Sequence, residues 1–125
     1  MIAGIGIDSI EKARIADAVS RWGNRFLEKI YTGRELRDCR KKHDRTGSLA
    51  VRFAAKEAFF KALGTGWSEG IGWKDIEVAT RAGGKPEMVL YRKAQELAKA
   101  YAIHVSLSHD TRTAWAFVIL ETKEG

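Results

Sequence analysis

The 125-residue sequence predicts an α+β fold, on three observations. Its strand-like and helix-like runs are grouped rather than strictly alternating. Residues 48–63 form a long alanine-rich helical stretch that stops at Gly64, and two pairs of short β-like runs fill the C-terminal half. A hydrophobic content of 45% supports one modest core, and with Pro86 as the only proline no linker divides the chain, so residues 1–125 are expected to form one domain. A core of this size leaves little stability to spare, which makes self-association an expectation.

Taken in order, Ile2 to Ile7 is apolar with glycines and reads as a short buried strand ending at Asp8. Asp8 and Glu11 have the spacing of a capping box, which predicts a helix from there to about Trp22. On that helix Arg14, Asp17 and Arg21 share one side, while Ile15, Val19 and Trp22 share another. Phe26 to Thr32 reads as irregular or strand-like, Gly33 to about Lys42 as a polar helix, and Lys41 to Arg45 as a charged turn. After the 48–63 helix, the glycines at 64, 66, 70 and 72 predict a loop. Trp73 to Ala79, a turn through Gly83 and Gly84, and Glu87 to Leu90 predict a hairpin. Tyr91 to Tyr101 reads as a helix, and His104 to Leu107 with Thr113 to Glu121 as a closing strand pair.

Charge and cysteine content narrow the setting. The single cysteine, Cys39, can form neither an internal disulfide nor a zinc site, which predicts a reducing compartment. No apolar run approaches the ~20 residues that span a bilayer, and Asp8 and Glu11 interrupt any signal-peptide core, so a soluble cytoplasmic protein is expected. The net charge of +6, from 22 Lys and Arg against 16 Asp and Glu, favours anionic partners without choosing among nucleic acid, an acidic protein and a polyphosphate ligand.

Three segments concentrate the chemistry: GIGIDSIEKARI at 4–15, RFAAKEAFFKALGTG at 52–66 and SLSHD at 106–110. In the long helix Val51, Ala54, Ala55, Ala58 and Ala62 form a stripe of small side chains that lets another element approach closely. Phe53 and Phe60 lie opposite, with Glu57 and Lys61 in a polar strip beside them. Glu57 and Lys61 can be an ordinary helix ion pair worth about 0.3–0.5 kcal/mol, and Asp8 can be a helix cap. Together, Asp8 and Glu57 can also supply two oxygen ligands to magnesium, which keeps several waters and takes further oxygens from a substrate's phosphates. Gly64, Thr65 and Gly66 allow backbone to approach a ligand but are also an ordinary cap, without the Lys and Ser/Thr of a phosphate-binding P-loop. Gly84, Lys85 and Pro86 can be a plain turn, and His109 a structural histidine.

These segments, in this order and over nearly the whole chain, resemble the holo-acyl-carrier-protein synthase family of 4′-phosphopantetheinyl transferases. The resemblance implies that family's fold, a small, mostly antiparallel sheet packed with a long central helix and shorter helices. It also implies a reaction in which a carrier-protein serine attacks the β-phosphate of coenzyme A and expels adenosine 3′,5′-bisphosphate. Carried over by position, Asp8 and Glu57 hold magnesium, and Glu57, directly or through a metal-bound water, takes the serine proton. Lys61 contacts the pyrophosphate and stabilises the leaving group. Gly64, Thr65 and Gly66 line the pantetheine and diphosphate path, and Gly84, Lys85 and Pro86 the adenosine end. Arg52 and His109 match positions that reach coenzyme A from a neighbouring subunit of a homotrimer, and Arg14 and Arg21 face an acidic acyl carrier protein.

Two positions depart from the pattern or stay open. Asp110 stands where many relatives of that family have a hydroxyl residue, which puts a phosphate contact there in doubt. The basic residue for the 3′-phosphate is not singled out among Lys41, Lys42, His43 and Arg45. The rival readings are the same chemistry on a peptidyl or polyketide carrier domain, and a basic nucleic-acid-binding domain. No helix-turn-helix, RRM or KH pattern supports the last of these, so no nucleic-acid partner is expected.

Overall fold

Glycine and alanine decide how the layers meet. The first strand, β1 (Ile2–Glu11), lies in an antiparallel three-stranded sheet of order β1-β5-β4, with β4 at Tyr101–His109 and β5 at Thr113–Thr122. These elements belong to a computed structural model that describes residues 1–64 and 70–123. Helix α4 (Arg45–Leu63) crosses the inner sheet face. Its small-residue stripe is buried there, with Ala54, Ala55 and Ala58 at 0% exposure. A Cβ on Gly4 would sit 2.1 Å from the carbonyl oxygen of Ala62, so only glycine allows this approach. Ala114, Ala116, Val118 and Leu120 of β5 complete the inner face, and a buried Val or Leu contributes about 1.5–3 kcal/mol.

The outer face of the same sheet carries an exposed apolar patch on β1 and β5. Ile5 and Ile7 of β1 and Trp115 and Phe117 of β5 are exposed there, and the register sets Ile7 opposite Phe117. A second sheet is the hairpin β2 (Ile76–Thr80) and β3 (Pro86–Leu90), turned through Gly83 and Gly84, both at positive φ as that reversal requires.

Helices α1 (Lys12–Trp22), α2 (Asn24–Ile30) and α3 (Gly33–Arg40) run from the end of β1 to the start of α4. Lys56 of α4 ties α2 and α3 to the long helix, with a buried ion pair at its centre. Lys56 Nζ lies 2.7 Å from Glu35 Oε1, both side chains at 0% exposure, and also donates to the carbonyls of Ile30 and Trp73. Glu35 accepts in turn from the backbone N–H of Thr32 and of Val78. Burial pushes the Lys56 ammonium below its usual range, and Glu35 opposes that.

The α+β class and the long helix ending at Gly64, whose φ is 79°, agree with the sequence reading, while four details correct it. First, β1 continues through Asp8 to Glu11 because its ladder with β5 extends to Glu11 opposite Thr113, and each paired residue satisfies backbone groups that a helix start would leave open. The capping box of Asp8 and Glu11 is therefore not formed: α1 begins at Lys12 and Glu11 makes no side-chain cap bond. Second, the segment read as irregular or strand-like is α2, a seven-residue helix that buries Leu27 and Ile30 one turn apart. Third, Trp73–Asp75 is a 3₁₀ turn preceding β2. Fourth, the helix expected over Tyr91 to Tyr101 is only α5 (Arg92–Ala98), because Tyr101 already pairs with Thr122. In the predicted 64–72 loop, Thr65 and Gly66 lie outside the described residues.

Candidate active site

The close contact of β1 with α4 sets Asp8 beside the C-terminal half of the long helix. Lys61 Nζ approaches Asp8 Oδ1 at 2.8 Å and donates to the Ile7 carbonyl at 3.1 Å. The polar strip on α4 is thus completed from the strand: Lys61 pairs with Asp8, 53 residues away, rather than with Glu57 one turn before it. Glu57 is half-buried, and its carboxyl is held above the usual range, chiefly by loss of solvent and then by the negative charge of Asp8, with Lys61 opposing.

Two carboxylates close enough to repel, with one ammonium between strand and helix, leave unneutralised negative charge. A hard divalent cation would relieve it. Among the described residues no group of three or more His, Cys, Asp or Glu side chains forms a cage for a metal. Asp8 and Glu57 offer carboxylate oxygens alone, the donor chemistry that suits magnesium, which takes one or two carboxylates and completes its shell with water and substrate phosphate.

Five of the other predicted ligand residues gather elsewhere. A cleft of ≈ 580 Å³ is lined by Arg52, Gly84, Lys85, Pro86 and His109, and not by Asp8, Glu57 or Lys61. Arg52 is 4% exposed; its Nη1 donates to the Ser48 carbonyl and hydroxyl, while its buried Nε finds no hydrogen-bond partner among the described residues. Such an unmet donor is costly unless something else accepts from it. Of the four basic candidates left open in the charged turn, Lys42 and His43 line this cleft, and Lys41 and Arg45 do not.

His109 stands at the cleft edge with Nδ1 3.9 Å from Asp44 Oδ2. Asp44 caps α4 through the Gly47 N–H and pairs with Lys12 at 2.7 Å, and these hydrogen bonds hold its carboxyl below the usual range. Asp110 accepts from the backbone N–H of Arg112 and Thr113 and so shapes the β4–β5 turn, a structural task that accounts for a carboxylate at this position. On the exposed side of α1, Arg14 is open to solvent and Arg21 lies 3.2 Å from Asp17.

Sequence reasoning passed over Lys56 and Glu35. They are 21 residues apart, and each reads as a surface charge until the fold buries it. A capping signal was available, since Thr32 and Glu35 have Thr-x-x-Glu spacing and form a reciprocal capping box at the start of α3.

Comparison with known proteins gives one answer throughout. The profile of the 4′-phosphopantetheinyl transferase superfamily matches residues 4–118. The holo-acyl-carrier-protein synthase of Koribacter versatilis (strain Ellin345) is 47% identical over 97% of this chain and 99% of its own. That of Halothermothrix orenii (strain H 168) is 48% identical over 97% and 98%. Among solved structures, the synthase of Neisseria meningitidis superposes with a TM-score of 0.89 at 34% identity, covering 98% of this chain and 100% of the other. The Bacillus anthracis synthase, in complex with coenzyme A (3′,5′-ADP), superposes with a TM-score of 0.83 at 38% identity, covering 98% and 99%. The chain belongs to the 4′-phosphopantetheinyl transferase superfamily and, within it, to the holo-acyl-carrier-protein synthase family.

Proposed function

We propose that Asp8, Glu57 and Lys61 carry the reaction of this enzyme, the transfer of the 4′-phosphopantetheine group of coenzyme A to a serine of an apo acyl carrier protein. The observation that supports these roles is the convergence of the three charged side chains where β1 meets α4. In the reaction the serine oxygen bonds to the β-phosphorus of coenzyme A, the bond from that phosphorus to the bridging oxygen breaks, and adenosine 3′,5′-bisphosphate leaves. Glu57, whose carboxyl is held above the usual range and so binds a proton more readily than a free glutamate, takes the serine proton. Lys61 moves its ammonium from Asp8 toward the diphosphate and balances charge on the departing oxygen. Magnesium held by Asp8 and Glu57 would supply neutralisation of the diphosphate charge.

Coenzyme A would place its adenosine end in the cleft of Arg52, Gly84, Lys85, Pro86 and His109, with Lys42 and His43 as the two cations nearest at hand for the 3′-phosphate. Gly64 would begin the pantetheine path. Because this cleft is not lined by Asp8, Glu57 or Lys61, a complete site is best assembled between protomers of a homotrimer, one contributing the catalytic trio and a neighbour Arg52 and His109. The uncovered apolar face around Ile7 and Phe117 is a suitable surface for that association. Arg14 and Arg21 would meet acidic carrier protein from the outside of α1, where exposed charges chiefly set association rate. No helix among the described residues is long and apolar enough to cross a membrane. On this reading the enzyme works in the cytoplasm, where it supplies holo carrier protein for fatty acid synthesis.

The test is incubation with coenzyme A, magnesium and a panel of apo acyl, peptidyl and polyketide carrier proteins, followed by intact-protein mass spectrometry. Addition of one phosphopantetheine to acyl carrier protein is expected. Addition only to the other carriers would favour the alternative carrier reading, and none to any carrier would overturn the function.

A further inference from the structure

We infer that Lys56 is a positioning residue for the transfer reaction, setting the direction of Glu57 and of the aromatic wall beside it through three hydrogen bonds. The inference rests on the role proposed above for Glu57.

An ammonium offers three N–H donors, and Lys56 places them on the Ile30 carbonyl at 2.7 Å, Glu35 Oε1 at 2.7 Å and the Trp73 carbonyl at 3.1 Å. These acceptors come from the end of α2, the first turn of α3 and the 3₁₀ turn before β2. One side chain on α4 therefore registers three separate segments against the helix. Consecutive helical residues point about 100° apart, so fixing Lys56 fixes the rotation of α4 about its axis at the neighbouring position, Glu57.

The Trp73 bond reaches the site by a second route. While its carbonyl is held by Lys56, the Trp73 ring stacks on Phe53 with centroids 5.1 Å apart and meets Phe60 edge-on at 5.7 Å. Phe53 and Phe60 stand four residues before and three after Glu57, the spacings that share a helix face. Phe53 and Phe60 thus share the helix face of Glu57, and the Trp73 ring packs on both. Freeing the Trp73 backbone would loosen that wall and Glu57 together.

A buried cation is costly for stability, and removing one partner of such a pair costs more than replacing both. That asymmetry separates positioning from folding. Lys56→Met is expected to lower the thermal midpoint and to lower kcat by about ten- to a hundredfold, with KM for coenzyme A unchanged within about twofold because the cleft residues are untouched. The double variant Lys56→Met/Glu35→Gln removes both charges but keeps only one acceptor oxygen for the Thr32 and Val78 N–H groups, so it is expected to regain part of the thermal midpoint while kcat stays low. Recovery of kcat together with the midpoint, or a folded Lys56→Met with wild-type kcat, would overturn the inference and leave Lys56 a purely structural residue. Wild-type enzyme and Glu57→Gln are run alongside. An inactive wild type, or an active Glu57→Gln, would instead overturn the role of Glu57 on which the inference rests.

Discussion

A Cβ on Gly6 would lie 1.9 Å from the carbonyl oxygen of Ala58, so β1 and α4 meet backbone to backbone at this point. Asp8 is the next residue on the same strand face, and this contact carries it to Lys61. Gly6→Ala has no flexible neighbour to displace, only helix backbone. The substitution should cost about 1–3 kcal/mol by overpacking and push Asp8 away from Glu57 and Lys61. Denaturant unfolding and the transfer assay together check it, and a Gly6→Ala enzyme of wild-type stability and rate would show that the contact does not position the site.

Glu57 couples function to stability with a definite sign. Its carboxyl is raised in the folded protein, so the folded state binds more protons than the unfolded one across the window between the ordinary glutamate pKa and the raised value. Stability therefore falls as pH rises through that window. Glu57→Gln should be more stable than wild type at neutral pH, by less than about 1 kcal/mol because the group is only half-buried. The difference should vanish below the ordinary glutamate range, and transfer should fall by at least about a hundredfold.

The order of elements was readable where periodicity and punctuation agreed. The alanine stripe of α4, its glycine cap and the Gly83–Gly84 turn are local patterns that the structure repeats. What the sequence concealed depends on partners distant in the chain. Asp8 looks like a cap until the ladder with β5 claims it, and Lys61 looks like a partner for Glu57 until β1 arrives with Asp8. α2, at seven residues, is too short for its Leu27–Ile30 spacing to stand out from a strand. Lys56 carries a charge into the core, which no burial pattern anticipates without Glu35 beside it.

Asp44 titrates in the opposite sense to Glu57. Hydrogen bonds from Lys12 and the Gly47 N–H depress its carboxyl, so the stability it adds is present above the ordinary aspartate pKa and is lost as pH falls through the depressed value. Asp44→Ala should cost about 1 kcal/mol through the lost cap of α4. Thermal unfolding from neutral to acid pH should show a flatter acid limb for the variant, and an unchanged limb would refute the cap's contribution.

Docking of the carrier protein should depend more on Arg14 than on Arg21. Arg14 makes no ion pair among the described residues, whereas Asp17 already neutralises part of the charge on Arg21. Arg14→Glu should raise KM for acyl carrier protein several-fold at low salt, leave KM for coenzyme A unchanged, and lose its effect as salt rises. Equal increases in both KM values would place carrier docking on another face.

The apolar sheet face offers a direct check on assembly. Phe117→Glu puts a charge at an exposed position opposite Ile7, where the isolated chain should tolerate it. Sedimentation should show wild type as a trimer and the variant as smaller species with little activity. A fully active monomer would remove the case for a site shared between protomers.

In the proposed reaction Asp8 and Glu57 grip one divalent ion against the diphosphate of coenzyme A. Crystals grown with coenzyme A and manganese in place of magnesium test it through anomalous difference density. A single peak within coordination distance of both carboxylates and the diphosphate is the predicted result. Bound coenzyme A with a manganese peak away from both carboxylates, or with no peak beside them at saturating metal, would contradict it.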